Sequence, residues 1–491
     1  MRRLLSRWRD KALPVRTGRS RMAKGPNDHR DGFRLRAIGA ALSPGTHALA
    51  AATGIALCTM LAGCATYQPL PLAQHARLPD KVADLKVDPA SMPIPALRKH
   101  VFDPSRGLDM TDVAMLAVAN NPMLKIARDQ RGIAHAQAFA AGLLPDPVLD
   151  VSRGYPTSGP ADSTAYSAGL TYDLTALLSH ASDVRAARAS AKQVDLNLLW
   201  QEWQVIASAR QLFLRCVYQA KMLGVLRDEV RQRGRFHAQL AQAQRHGDVS
   251  LAQLGLDQAA LQAVQSRRDG MARQLLASRQ ALDALLGLSP DATLTLLPPA
   301  ARPAPSKAEI ARELATLAQR RPDLLALQAG YESADIRYRR AIWQQFPSID
   351  VGFSRGRDTD AISSRSFQVS LTLPLFNRNR GNVAIAKATR QALHDEYTLR
   401  LAQARSAIAR LLQDRAILQR QRAELARSAA LQAGIAERLR QSATAGDLSE
   451  ARSLDFRLRR DDQRLELLAT GQAMLEQQVV LETLLANPGP R

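Results

Sequence analysis

The chain has 491 residues and a formal net charge of +22. Residues 1–63 carry 12 Lys/Arg against 3 Asp/Glu, and the remaining excess of basic residues is spread along helix-forming stretches. With no compact basic patch interleaved with aromatics, this charge argues against a nucleic-acid partner. Aromatic residues make up only 4% while Ala, Leu, Arg and Gln dominate, a composition suited to long helices in coiled-coil contact.

Residues 1–63 read as an export leader, basic through Arg34 and Arg36 and then apolar from about Ala48 to Leu61. Ending in Leu61-Ala62-Gly63-Cys64, the leader resembles a bacterial lipoprotein signal, which implies cleavage before Cys64 and lipid attachment to it. An ordinary signal peptide with an incidental Cys64 is the alternative. Ala65 stands where lipoproteins kept at the inner membrane typically carry Asp, so the resemblance implies the outer membrane. The apolar stretch is short and interrupted for a spanning helix, and either Met1 or Met22 can be the start. Cys58 belongs to the leader. Cys216 lies among apolar residues of a helical pattern, as a packed thiol would, and no disulfide framework is possible in the mature monomer.

Residues 64–105 form a linker with prolines at 69, 71, 79, 89, 93, 95 and 104, an extended segment that must lie against something else. The first repeat, residues 106–289, opens a helix at Asn121-Pro122-Met123-Leu124. It continues through a strand at about 147–154 and a polar turn at Tyr155–Ser163. Tyr166, Ala168, Leu170, Tyr172 and Leu174 then alternate with small or polar residues, the period of a second strand. No proline occurs from Ala161 to Ser289. Because interior proline costs a helix about 3 kcal/mol, that tract is open to two long arms, roughly 178–245 and 249–287, divided by Gly247-Asp248-Val249-Ser250.

Residues 290–305 are a second Pro-punctuated linker. The repeat at 306–487 then restates the first: Arg321-Pro322-Asp323-Leu324, a strand at about 347–354, a turn at Arg357–Arg365, and alternation through Phe367, Val369, Leu371, Leu373 and Leu375. Its arms run roughly 381–444 and 448–486 around Gly446-Asp447-Leu448-Ser449, with a tail at 488–491. An arm of about 65 residues spans about 100 Å, wider than any globular core. Ala404, Leu411, Leu418 and Leu425 recur at sevens, as a coiled-coil seam requires.

A duplication of this length governs the fold. Each copy supplies a β-hairpin and a long antiparallel helical hairpin. The strand alternation fits a half-buried soluble sheet or a membrane β-barrel, and the export leader with its anchor favours the barrel. Four strands cannot close a bilayer-spanning barrel; three chains would supply twelve.

The order of these elements resembles that of TolC-family outer-membrane efflux proteins over essentially the whole mature chain. Its sharpest motif is Leu373-Pro374-Leu375-Phe376-Asn377-Arg378-Asn379-Arg380-Gly381, which looks like the family's strand-to-helix junction and most like its cobalt-zinc-cadmium type. The junction residues singled out are Pro374, Phe376, Asn377 and Gly381. In the first repeat Tyr172-Asp173-Leu174-Thr175 departs from that pattern. The resemblance implies a mainly α fold with a membrane β-barrel portion: a trimer with a 12-stranded barrel continuous with a 12-helix periplasmic tunnel. Its partners would be a periplasmic adaptor, an inner-membrane pump and outer-membrane lipid.

The Gly247–Ser250 and Gly446–Ser449 turns would be the periplasmic tips that meet the adaptor, Gly permitting the turn and Ser or Asp capping the outgoing helix. Asp455 matches a position where the family's carboxylates narrow the aperture, Arg452 stands where another acid can occur, and Asp257 is a weaker candidate in the first repeat.

Catalytic, cofactor and metal-ligand spacings are absent from the sequence, and His246 reads as a solvated turn residue. The expected role is therefore not enzymatic: a passive exit duct for heavy-metal cations or small toxic compounds. Drug or type I secretion ducts are the alternatives. A lipidated adaptor fits less well, since it would show one helical hairpin and a β-rich C-terminal half.

Overall fold

The structure, a computed structural model, describes residues 67–75, 77–160, 163–300, 304–444 and 450–486. Cys64, the Gly446–Ser449 turn and the 488–491 tail lie outside the described residues. The chain divides into residues 1–76, of which 67–75 form an exposed stretch without helix or strand, and residues 77–491.

In the larger unit, helix α1 (Met110–Asn120) starts at a capping box in which Asp109 accepts from the Asp112 backbone and Asp112 from that of Asp109. Asn121 caps helix α2 (Pro122–Gly142), where Pro122 occupies a first-turn position whose N–H would be unpaired anyway. Strands β1 (Val148–Gly154) and β2 (Ala165–Asp173) lead directly into helix α3 (Leu174–His246), 73 residues and about 110 Å long. Helix α4 (Leu251–Leu286) returns beside it. There follow α5 (Lys307–Ala315), α6 (Pro322–Trp343), β3 (Ser348–Arg357), β4 (Ser363–Thr372), α7 (Arg380–Thr444) and α8 (Glu450–Leu484).

Arg321 precedes Pro322 as Asn121 precedes Pro122, but makes no side-chain cap on α6. Its guanidinium instead forks onto Asp323 at 2.8 and 3.0 Å and stacks over the Trp200 ring of α3 at 4.7 Å. Both charged residues are buried, so the pair ties the start of α6 to α3.

Two apolar cores sit part-way along the long helices. One joins α1, α3, α4 and α8 through Leu116, Phe213, Leu282 and Val479; the other joins α5, α6, α7 and α8 through Ile310, Leu324, Ile408 and Leu481. Cys216 is buried in the first, and burial pushes its thiol up to about 11. The Pro-rich segment before α1 is docked rather than free: Met92, Ile94 and Leu97 bury against α1 and α3. The inter-repeat linker pairs Leu297 N–H and Thr295 C=O with Leu108. Ala404 is buried, and Leu411, Leu418 and Leu425 are half-buried along α7. No described helix is long and apolar enough to cross a membrane.

All four strands form one antiparallel sheet in the order β1-β2-β3-β4, so the two hairpins join through β2 and β3. Two expectations are corrected here. The alternation through Leu373 and Leu375 outruns β4, which ends at Thr372, because Pro374 has no N–H for a ladder. Leu174 opens α3 instead of closing β2, because Asp173 accepts from Ala176 N–H at 2.8 Å and caps the helix.

Candidate functional site

Cross-strand register sorts the sheet residues onto two unlike faces. One row runs Leu149, Leu170, Phe353, Phe367. Toward the helices follow Tyr172, Val351, Val369 and then Ile349, Leu371. Toward the hairpin loops the row Val151, Ala168, Arg355, Arg365 is followed by Arg153, Tyr166, Arg357, Ser363. This face is apolar, then cationic, and bears no carboxylate. The opposite face consists of Ser, Gly, Thr, Ala and Gln with Val148, and its only titratable residues are Asp150, Asp173 and Asp350. Four arginines on one face and three aspartates on the other is a complete segregation of charge.

The sheet also curves. A Cβ built on Gly169 would stand 3.3 Å from that of Ser354, and one on Gly356 3.2 Å from that of Ser167. Opposed residues of an antiparallel pair normally keep about 4.5–5.5 Å. Side chains therefore converge on the polar face, the sheet curls toward it, and glycine stands at the two tightest crossings, Gly169–Ser354 and Ser167–Gly356. The apolar face is the outer one. Val151, Phe353, Phe367 and Leu371 on it are more than half exposed, far beyond what a buried sheet face in a soluble core would show. Strands β1 and β4 keep open edges among the described residues.

The first hairpin tip has the geometry its sequence demands. Gly247 adopts φ +85° at the end of α3, with Gly247 N–H on Gln244 C=O and Asp248 N–H on Ala243 C=O, a Schellman closure. Ser250 accepts from Gln253 N–H at 3.2 Å and caps α4. Gly247, Asp248 and Ser250 are exposed, Val249 is half-buried, and His246 is exposed at the helix end.

The aperture candidates separate. Asp455 and Arg452 are exposed on α8, Asp455 paired with Arg459 at 3.0 Å. Asp257 is buried, with Arg233 at 2.9 Å and His237 Nδ1 at 2.9 Å. These contacts brace α4 against α3.

The second junction is a seven-residue passage, 373–379, between β4 and α7. Phe376 is exposed, and Asn377 accepts from Asn379 N–H at 2.6 Å. Arg378 and Asn379 take φ +47° and +52°; Asn tolerates that region better than most residues. Asn379 donates to Ala341 C=O at 2.8 Å and accepts from Asn382 at 2.7 Å, anchoring α7 to α6. Pro374 is half-buried, and Gly381 lies in the first turn of α7 with ordinary φ and open space around it. The turn thus depends on Asn379, which the sequence marked only as part of a run.

Among the described residues, one trio, His100, Asp109 and Asp112, has ligand atoms close enough to share an ion. Sequence spacing did not reveal it, since a linker folds back onto a helix start. Its carboxylates are already engaged in the α1 capping box and His100 sits 3.0 Å from Asp112, so the trio serves the helix.

No protein-family model matches the chain, and no curated protein matches it in sequence. Solved structures do match. CusC, whose crystal structures record conformational changes accompanying folding and transmembrane channel formation, aligns with a TM-score of 0.62 at 20% identity, over 82% of this chain and 98% of its own. The outer-membrane channel OprN aligns at 0.65 and 18%, over 85% and 99%. The CmeC outer-membrane channel of Campylobacter jejuni aligns at 0.66 and 15%, over 87% and 95%. The fold is that of outer-membrane channels.

Proposed function

We propose that the chain is one third of a passive exit duct in a Gram-negative outer membrane, lipid-anchored at Cys64, serving an inner-membrane pump through a periplasmic adaptor. The two-faced sheet carries this reading. An apolar convex face suits lipid and a concave face of small polar residues suits a water-filled lumen. The open edges of β1 and β4 suit pairing with other copies, and twelve strands from three chains is an ordinary number for an outer-membrane barrel. The neighbouring folds, all channels, support the same role. Long helical hairpins would continue the duct as a 12-helix tunnel, with Gly247–Ser250 and Gly446–Ser449 as adaptor-contacting tips and Asp455 and Arg452 near its aperture.

Cations are the proposed cargo, heavy-metal ions first. Support comes from the junction motif at 373–381 and from the concave face, whose only charges are Asp150, Asp173 and Asp350. Acidic side chains lining a water-filled passage with low-dielectric walls raise the local concentration of cations.

Heat-sensitive gel migration and cross-linking of protein extracted from outer membranes test the duct. A trimer that dissociates on heating is expected, and a soluble monomer without an outer-membrane fraction overturns the reading. Deleting the gene tests the cargo: lost zinc, cobalt or copper tolerance is expected, and intact metal tolerance with new drug sensitivity overturns the assignment.

A further inference from the structure

Arg355 and Arg365 stand directly opposite each other on β3 and β4. Opposed like charges destabilise a sheet pair, yet neither has a carboxylate partner among the described residues. Arg357 and Arg153 occupy the next row toward the loops on the same face. Arg357 braces the Ala361 carbonyl with its Nε, and Arg153 lies over the Tyr155 ring at 5.1 Å. All four arginines are exposed.

The row beside the pair, toward the helices, is apolar. A shallow hollow of about 530 Å³ lies on this face, lined by Ala168, Leu170, Phe353, Phe367 and both arginines. It exists because Ala168 is small among large neighbours. One end of the hollow is cationic and the other is hydrocarbon-like.

The other border of the apolar zone is aromatic. Trp343 and Phe346 pack edge-on at 6.5 Å, and Phe376 is exposed in the passage beyond β4. From Ser348 to Arg355 strand β3 covers about 23 Å at a rise of about 3.3 Å per residue. With the usual barrel tilt of about 35–45°, that is about 16–19 Å of membrane depth, most of the roughly 25 Å height of an outer-membrane apolar band, with Phe346 lying beyond its helix-side end. The arginines therefore fall at one headgroup level, on the hairpin-loop side.

We propose that Arg355 and Arg365, flanked by Arg153 and Arg357, form a binding site for a phosphorylated lipid headgroup at the outer rim of the sheet, its acyl chain entering the Ala168 hollow. Guanidinium forks match phosphate oxygens bidentately, and a phosphate between the arginines turns their mutual repulsion into attraction. The inference rests on the outer-membrane reading and adds to it a specific lipid of the leaflet facing the loops.

Native mass spectrometry of the detergent-extracted protein tests it, with diphosphorylated lipid A, its dephosphorylated form and inorganic phosphate as probes. Wild type is expected to bind the diphosphorylated lipid and not the dephosphorylated one, with inorganic phosphate failing to displace it. The pair Arg355→Ser/Arg365→Ser should lose about tenfold or more in affinity, as removal of a charge-assisted pair implies. Arg355→Lys/Arg365→Lys, which keeps charge but not the fork, should fall between. Equal binding by the Ser and Lys pairs and wild type overturns the site, as does phosphate-independent binding or complete displacement by inorganic phosphate. If the Ser pair yields no oligomer, the Lys pair and the dephosphorylated lipid still decide. Wild type recovered as a heat-sensitive outer-membrane oligomer without phosphate-dependent binding refutes this site alone. Its absence from the outer membrane refutes the duct itself.

Discussion

Replacing Val369 by Arg separates a lipid-facing sheet from a soluble one. Val369 lies opposite Val351 near the middle of the apolar zone, and its neighbour Ser370 lies opposite Asp350 on the concave face. Val369 is already 51% exposed in the single chain. If the sheet were soluble, Val369→Arg would lose mainly the contact with Val351, about 0.2–1 kcal/mol, and the charge would remain in water. On a lipid-facing strand near the bilayer centre, Arg costs about 2–4 kcal/mol. Three copies in a trimer raise that to about 6–12 kcal/mol, enough to remove most assembled protein. Ser370→Arg, one residue away, meets Asp350 across the strand pair in a wet lumen and should assemble normally. The assay is the yield of heat-sensitive oligomer from outer membranes. Wild-type yield for both variants, or loss of Ser370→Arg alone, would refute the assignment of faces.

Glu229 of α3 is 1% exposed, with its nearest cation, Arg267, at 3.9 Å. Burial, with Asp462 and Asp461 adding to it against Arg267, pushes its carboxyl from 4.5 up to about 7. The folded state holds a proton there that the unfolded chain releases, so wild-type stability falls as pH rises from 4.5 to 7. Glu229→Gln should gain on wild type across that window by up to about 3 kcal/mol, seen as a thermal transition that diverges upward with pH; a pH-independent gap contradicts it.

Gly287 combines φ +72° with a Cβ position 2.8 Å from the Asn120 carbonyl oxygen. Gly287→Ala should therefore cost about 2 kcal/mol or more, whereas Gly270→Ala, with open space inside α4, should gain about 0.5–1 kcal/mol; similar melting temperatures for the two would count against this packing. Asn379→Leu combines a φ of +52° with loss of the Ala341 and Asn382 bonds. It should cost about 2–3 kcal/mol and open the 373–379 passage to protease; unchanged cleavage would show that the turn does not depend on Asn379.

The element order was legible in the sequence because its signals are local. Proline-free tracts admit long helices, Gly247 and Ser250 close and restart them, and strict alternation marks strands. The repeated landmarks carried the expectation of one plan used twice. Boundaries failed where two local signals competed. Leu174 and Leu373 continue a period of two, but the Asp173 cap and the Pro374 nitrogen end the ladder.

What required the tertiary structure was everything set by juxtaposition. Each strand read alone says only that its faces differ; register across four strands shows that Arg153, Arg355, Arg357 and Arg365 gather on one face and Asp150, Asp173 and Asp350 on the other. Curvature follows from cross-strand Gly–Ser pairs that no single segment contains. The sequence does not show that Arg233 and His237 of α3 meet Asp257, nor that Trp200 lies beneath Arg321. Periodicity and capping act over a few residues and are written in the chain. Pairing, burial and charge complementarity act between segments, so they exist only once the chain has folded.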